Sequence, residues 1–178
     1  MKVIAIGGEP GSGKTTLMKE IIKHYGVEPK YDEFKLVPYL KNDNVYVLGK
    51  YEEGEVFSGT DRMSMAVQPE AIKFLTTLPT NSIVFYEGDR LFTASFLEDC
   101  LDKYELKIIY LSTDKEIRKE RYKERGSNQN ETWLQGRETK IANIMSNMTL
   151  MFNRESFKNE TIEDQKIILD VIYKMVEK

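Results

Sequence analysis

A chain of 178 residues, 40% apolar and 31% charged, can bury the core of one α/β domain. Its net charge of −3 argues against indiscriminate binding to nucleic acid, though not against a local basic cleft. One cysteine, Cys100, and one histidine, His24, exclude an internal disulfide and any metal centre built from several thiolates or imidazoles.

A metal in such a chain is expected to be oxygen-ligated, of the Mg2+ kind. No apolar run approaches the roughly 18 residues of a membrane helix and no leader pattern opens the chain. A reducing, cytoplasmic setting is expected.

The first predicted element is a buried strand, Val3-Ile4-Ala5-Ile6. Directly after it, Gly8-Glu9-Pro10-Gly11-Ser12-Gly13-Lys14-Thr15 reads G-x-x-x-x-G-K-[ST], the Walker A pattern. A helix follows from Thr16 to Tyr25, with Leu17, Ile21 and Ile22 at helical spacing and Gly26 as its stop. Strand, pattern and helix together predict a phosphate-binding loop. Gly8, Gly11 and Gly13 let the backbone fold around an anion, and the N–H groups of the loop, through Ser12 and Thr16, are expected to point at phosphate oxygens. Lys14 would neutralise the β- and γ-phosphates of ATP, and the Thr15 hydroxyl would hold Mg2+.

Phe34 to Leu40 and Val45 to Tyr51 are aromatic and β-branched runs around the turn Lys41-Asn42-Asp43-Asn44. They predict a β-hairpin, inserted between the first and second helices, with Pro38 confining its first run to an edge. An acidic, Gly-punctuated loop, Glu52 to Gly59, leads to Thr60-Asp61-Arg62-Met63-Ser64. Pro69 opens a helix to about Leu78 on the stripe Ala71, Ile72, Leu75 and Leu78. Ser82 to Tyr86 is a strand apolar enough to be covered on both faces, ending at Glu87-Gly88-Asp89-Arg90. An acid at that position, downstream of a Walker A loop, is the Walker B arrangement, and Glu87 or Asp89 would hold Mg2+.

Leu91 to Lys103 predicts a further helix and Leu106 to Leu111 a third core strand. Thr113 to Glu116 has capping-box spacing and opens a charged helix to Gly126. On it Arg118, Arg121 and Arg125 stand at i, i+3 and i+7 and share one face. Guanidinium groups suit phosphate, and Arg137 and Lys140 lie beyond a polar loop, Ser127 to Glu131. A phosphate-closing lid over about 114–140 is expected. Thr132 would cap a helix through about Phe152, carrying Trp133, Leu134, Ile141, Ile144, Met145, Met148 and Met151 on one side. Phe157 marks a short last strand and Thr161 to Asp164 the start of a last helix. No repeat or composition break divides the chain, so a single domain is expected.

Walker A loop, hairpin insertion, strand-end acid, arginine-rich lid and last helix together resemble the nucleoside, nucleotide and polynucleotide kinases. That resemblance implies a three-layer α/β fold with a parallel five-stranded sheet in the order 2-3-1-4-5, and places Asn159 near the adenine. Gly8 to Thr16, Gly59 to Met65, Tyr86 to Arg90 and Arg118 to Lys140 more narrowly resemble bacteriophage 5-hydroxymethyluracil DNA kinases. These phosphorylate the hydroxymethyl group of a modified pyrimidine within DNA. The acceptor implied is DNA carrying such a base, or a free nucleotide.

The expected chemistry is in-line transfer of the γ-phosphoryl group of ATP to a hydroxyl. Lys14, Mg2+, Arg121 and Arg125 would stabilise charge, with Arg118 on the nucleotide phosphates. Asp61 is the expected base, Arg62 would grip an acceptor phosphate, and Gly59 would let backbone approach the acceptor. Asp32 and Asp89 are rival bases. Two other functions fit the same motifs. A nucleoside monophosphate kinase needs no base, because its acceptor is already a phosphate. A non-catalytic nucleotide-binding regulatory protein would need neither Lys14 nor the strand-end acid.

Overall fold

The structure, a computed structural model, describes residues 1–126 and 130–177. The polar loop expected after the arginine helix lies partly outside the described residues, at 127–129.

The sheet is built on β1 (Lys2–Gly8), whose Val3, Ile4, Ala5 and Ile6 are at most 1% exposed. β5 (Ile83–Glu87) and β6 (Glu105–Ser112) pair with it in parallel on either side. β4 (Val45–Leu48) runs parallel to β5, and β7 (Arg154–Lys158) parallel to β6. β3 (Tyr39–Asn42) and the two-residue β2 (Glu28–Pro29) extend the sheet antiparallel beyond β4. The full order is β2-β3-β4-β5-β1-β6-β7.

The expected all-parallel five-stranded sheet is therefore corrected to seven strands and mixed direction. The cause is the hairpin, which is no insertion outside the sheet. All four residues of β4 are buried, so it packs on both faces as an internal strand. The other hairpin strand, β3, then finds its place outside it. Pro38, which has no N–H to give a ladder, precedes β3, and Phe34 to Val37 form a turn closed by the Val37 N–H on the Phe34 carbonyl.

Alternation along the central strands sends Val3, Ala5, Val84 and Tyr86 to one face, and Ile4, Ile6 and Phe85 to the other. The first face is covered by α2 (Gln68–Thr77), α3 (Ala94–Lys103) and α5 (Glu131–Met145), through Leu75, Phe96, Leu97 and Ile141. The second is covered by α1 (Lys14–Tyr25) and α6 (Ile162–Glu177), through Leu17, Ile21, Ile168 and Ile172. This is the helix–sheet–helix layering that a parallel sheet needs. Among the described residues no helix is long and apolar enough to cross a membrane.

Local signals set the helix ends. Thr161 and Asp164 exchange side-chain-to-backbone hydrogen bonds of 3.0 and 2.9 Å at the start of α6. At α4 (Lys115–Glu124) the expected box is replaced by a simple cap, with Asp114 accepting from the Glu116 N–H. Asn130, not Thr132, caps α5 by accepting from the Trp133 N–H at 2.8 Å. That helix stops at Met145, short of Phe152, and Met148 and Phe152 are 73% and 88% exposed.

Candidate active site

Because β1 sends its chain one way to α1 while its neighbours β5 and β6 lie on opposite sides, a crevice opens at the carboxyl ends of these strands. The loop from Gly8 to Gly13 fills that crevice, and α1 starts at Lys14 with its first N–H groups facing it. Gly13 has φ 89°, and a Cβ there would stand 2.5 Å from the Asn159 amide nitrogen. Only glycine gives both that backbone angle and that approach. The Lys14 ammonium donates to the Gly8 and Glu9 carbonyls at 2.9 and 3.1 Å, which holds it across the mouth of the loop. Ser12 is fully buried.

At one side of the cradle the Thr15 hydroxyl donates to Glu87 Oε1 at 3.0 Å. Glu87 is 1% exposed. Burial pushes its carboxyl up to about 7; Lys14 and the Thr15 hydrogen bond oppose that rise, and the Asp61 charge adds to it. Gly59, with φ 70°, backs directly onto this carboxylate: a Cβ there would lie 2.6 Å from Glu87 Oε1. The close approach expected of Gly59 is thus made to Glu87 rather than to open acceptor space. Two hard oxygen donors side by side fit Mg2+, which keeps several waters and takes its other oxygens from phosphate. Asp89 lines the same small cavity as Glu87 but is already paired. Arg137 pairs with its Oδ2 at 2.7 Å, and the Lys140 ammonium donates to its carbonyl at 2.7 Å.

Asp61 sits in a short 3-10 turn, Thr60–Arg62. Its Oδ1 accepts the Asp89 N–H at 2.6 Å. Burial raises its carboxyl above the usual range, as does the Asp89 charge, while that N–H, Lys14 and Arg90 pull it back. Asp61, Lys14, Thr15, Glu87 and Arg125 line one small cavity of about 60 Å3. Arg62 next door points the other way, to Glu52 at 2.9 Å and Glu55 at 3.7 Å. Two carboxylates already neutralise the guanidinium that was expected to grip an acceptor phosphate. Asp32 is exposed in the turn before β3, away from these groups.

The three arginines of α4 do not face one another. Arg118 pairs with Glu138 of α5 at 3.0 Å. Arg121 donates to the carbonyls of Gly11, Asn159 and Glu160 at 3.2, 3.1 and 3.0 Å. Arg125 is left to line the small cavity together with Lys14 and Glu87. One helical stripe thus meets three environments. Asn159, 5% exposed, is bound into the loop itself, its amide donating to the Ser12 carbonyl at 2.8 Å. It borders a larger cavity of about 390 Å3 with Gly13, Thr16, Arg121, Thr161 and Gln165.

Phe57, Arg90 and Trp133 also stand at the site, and sequence reasoning assigned them no part in it. Trp133, counted there as part of an apolar stripe, lies 4.9 Å from the Arg137 guanidinium. The four-residue spacing of that pair was a usable signal. For Phe57, inside a polar loop, no local pattern existed.

A glycine cradle on β1–α1, a buried acid at the end of β5 bonded to the loop threonine, and a basic helix laid across both define a P-loop kinase site. The chain belongs to the P-loop Nucleotide Kinase3 family, whose model matches residues 1–163. Among solved structures, an uncharacterized protein from Eubacterium ventriosum ATCC 27560 is similar at 15% identity and TM-score 0.54, over 100% of this chain and 99% of that one. An unliganded sugar kinase from Janibacter sp. HTCC2649 is similar at 12% identity and TM-score 0.50, over 98% and 94%. At such identities the likeness is one of fold. No curated protein matches the chain.

Proposed function

We propose that this protein transfers the γ-phosphoryl group of ATP to a hydroxyl of a nucleotide or nucleic acid. The acceptor favoured is the 5-hydroxymethyl group of hydroxymethyluracil in phage DNA. The observation that carries the hydroxyl acceptor is the Asp61 carboxylate, held by the Asp89 N–H at 2.6 Å in the same small cavity as Lys14 and Glu87. A phosphate acceptor arrives ionised and gains nothing from a base; a hydroxyl must lose its proton as it attacks. The narrower choice rests on the resemblance of Gly59 to Met65 and Tyr86 to Arg90 to the phage enzymes.

In this mechanism the acceptor oxygen attacks the γ-phosphorus and its proton passes to the free oxygen of Asp61. The bond from the γ-phosphorus to the β,γ-bridging oxygen breaks, and ADP leaves. The cradle N–H groups and the α1 amino end bind the triphosphate. Lys14 shifts from the Gly8 and Glu9 carbonyls to its oxygens, and Arg125 supports the charge that develops. Thr15 and Glu87 would hold Mg2+, which when bound neutralises charge on the β- and γ-oxygens. Helices α4 and α5 act as the lid, with Arg121 and Arg118 tying it to the cradle and to itself. The cavity beside Asn159 takes the nucleoside end of ATP.

Arg90 and Arg137, both at the acceptor side, keep a nucleoside monophosphate kinase as the second reading. With γ-labelled ATP and Mg2+, label is expected in hydroxymethyluracil-containing DNA. Label confined to deoxynucleoside monophosphates would replace the first reading with the second.

A further inference from the structure

We propose that Phe57 and Trp133 form an aromatic clamp for a single unpaired nucleobase of the acceptor. The proposal deepens the phosphoryl-transfer reading and takes its orientation from it. The clamp itself rests on an adjoining cavity. That cavity, of about 160 Å3, is lined by Phe57, Asp61, Asp89, Arg90, Trp133 and Arg137. Five of those six also line the small cavity that holds Lys14 and Glu87, so an occupant abuts the reacting centre.

Its chemistry selects a neutral, planar, hydrogen-bonding ring. Two acids and two arginines leave it without net charge, and Arg137 is already matched to Asp89 at 2.7 Å. A dianionic phosphate placed there would meet two carboxylates as well as the two guanidinium groups, one of them already paired. Two aromatic walls favour a π-face instead, and stacking on such walls tolerates any base. The space suits one ring, and a base within a duplex would have to leave its stack to enter.

The loop that brings Phe57 is built for presentation. Phe57 is 41% exposed and its neighbour Val56 43% exposed, which is unusual beside a buried acid. Backbone bonds between Lys50 and Gly59, at 3.1 and 2.8 Å, close the loop at its base. Arg62, through Glu52 and Glu55, braces its acidic arm. This gives Arg62 a task other than gripping phosphate: it positions the loop that holds Phe57.

Trp133 is the single tryptophan of the chain, so its emission reports on the clamp without any turnover. The titration uses four probes: a short single strand with one 5-hydroxymethyluracil, the same strand with an abasic site there, its duplex, and the free 5-hydroxymethyldeoxyuridine monophosphate. The base-containing strand is expected to quench emission, and the abasic strand to bind at least about tenfold more weakly, the scale of one stacked base. Phe57→Ala is expected to remove that difference and Phe57→Tyr to keep it. Phe57 is exposed, and an unchanged circular dichroism spectrum would show that the variant folds.

Quenching by the free nucleotide as strong as by the strand supports the clamp and assigns it to a free acceptor. Quenching by the strand alone supports it and assigns it to DNA. Equal binding with and without the base, or no effect of Phe57→Ala, overturns it. The two proposals fail separately. Base-dependent quenching without label transfer leaves the clamp and removes the transfer. Label transfer that ignores Phe57→Ala does the reverse.

Discussion

The donor and acceptor sides of this site are built in opposite ways. The phosphate cradle of the donor side is one contiguous stretch, Gly8 to Thr15, held between a buried strand and the helix it opens. The acceptor side proposed above is assembled from four separate segments: the loop at 56–61, the residues after β5 with Asp89 and Arg90, Tyr122 of α4 with Arg125 at its end, and α5 through Trp133 and Arg137. A phosphate chain has one shape, so one backbone geometry can be made to fit it and can be set by adjacent residues. An acceptor can vary, and side chains on loops and helix faces can change without disturbing the sheet. Donor chemistry is therefore written locally and acceptor chemistry is written across the fold.

The sharpest test of that division is Glu87→Gln. The amide oxygen can still accept from Thr15, so folding should survive, and thermal stability should hold or rise because a buried charge is removed. Turnover should fall by roughly 10²–10³, the scale of one lost electrostatic contact in a transition state. Full turnover would remove Glu87 from the metal corner and put Asp89 back in contention.

Asp61→Asn tests the other side. The Asp89 N–H keeps an acceptor in the amide oxygen, but the base is gone. With a hydroxyl acceptor kcat should drop by about 10²–10⁴ while nucleotide affinity, measured by calorimetry, stays within a few-fold. A kcat that hardly moves would assign the acceptor as a phosphate.

Gly59→Ala links the two sides, because its Cβ would drive into the Glu87 carboxylate and its φ of 70° disfavours any L side chain. Stability should fall by about 1–3 kcal/mol, read as a lower denaturant midpoint. An unchanged midpoint would mean that loop and β5 are not rigidly coupled.

The smallest effect is expected for Arg62→Ala. Its partners are about half exposed, so the loss in stability should be within about 1 kcal/mol. The acceptor KM should rise a few-fold with the ATP KM unchanged. A change confined to ATP would mean that Arg62 serves the donor after all.

How much of this could be read from the chain alone follows the same division. The Walker A octet, the strand before it and the helix after it were legible because each is fixed by residues close together in the chain. The acid at the end of β5 was legible as a pair, Glu87 or Asp89. What distinguishes them in the structure is that Arg137 and Lys140, some fifty residues on, reach Asp89, whereas Thr15 reaches Glu87. The hairpin was found, but its place was not. Its residues are as apolar in an insertion as in a sheet, and only the parallel register of Val45 to Leu48 on β5 distinguishes the two.

The arginine stripe of α4 was likewise visible as a stripe and misjudged in what it meets. Helical spacing fixes which side chains share a face, but says nothing about the surface that face is laid against. By itself the sequence determined the alternation of strands and helices, the anion cradle and the identity of the acids near it, all short-range consequences of backbone geometry and hydrophobic period. Only tertiary structure decided the mixed seven-stranded sheet, the separate surroundings of Arg118, Arg121 and Arg125, and the placing of Phe57 and Trp133 around one cavity with Asp61. Those depend on pairings between residues tens of positions apart, which chain closure and core packing select and local pattern does not encode.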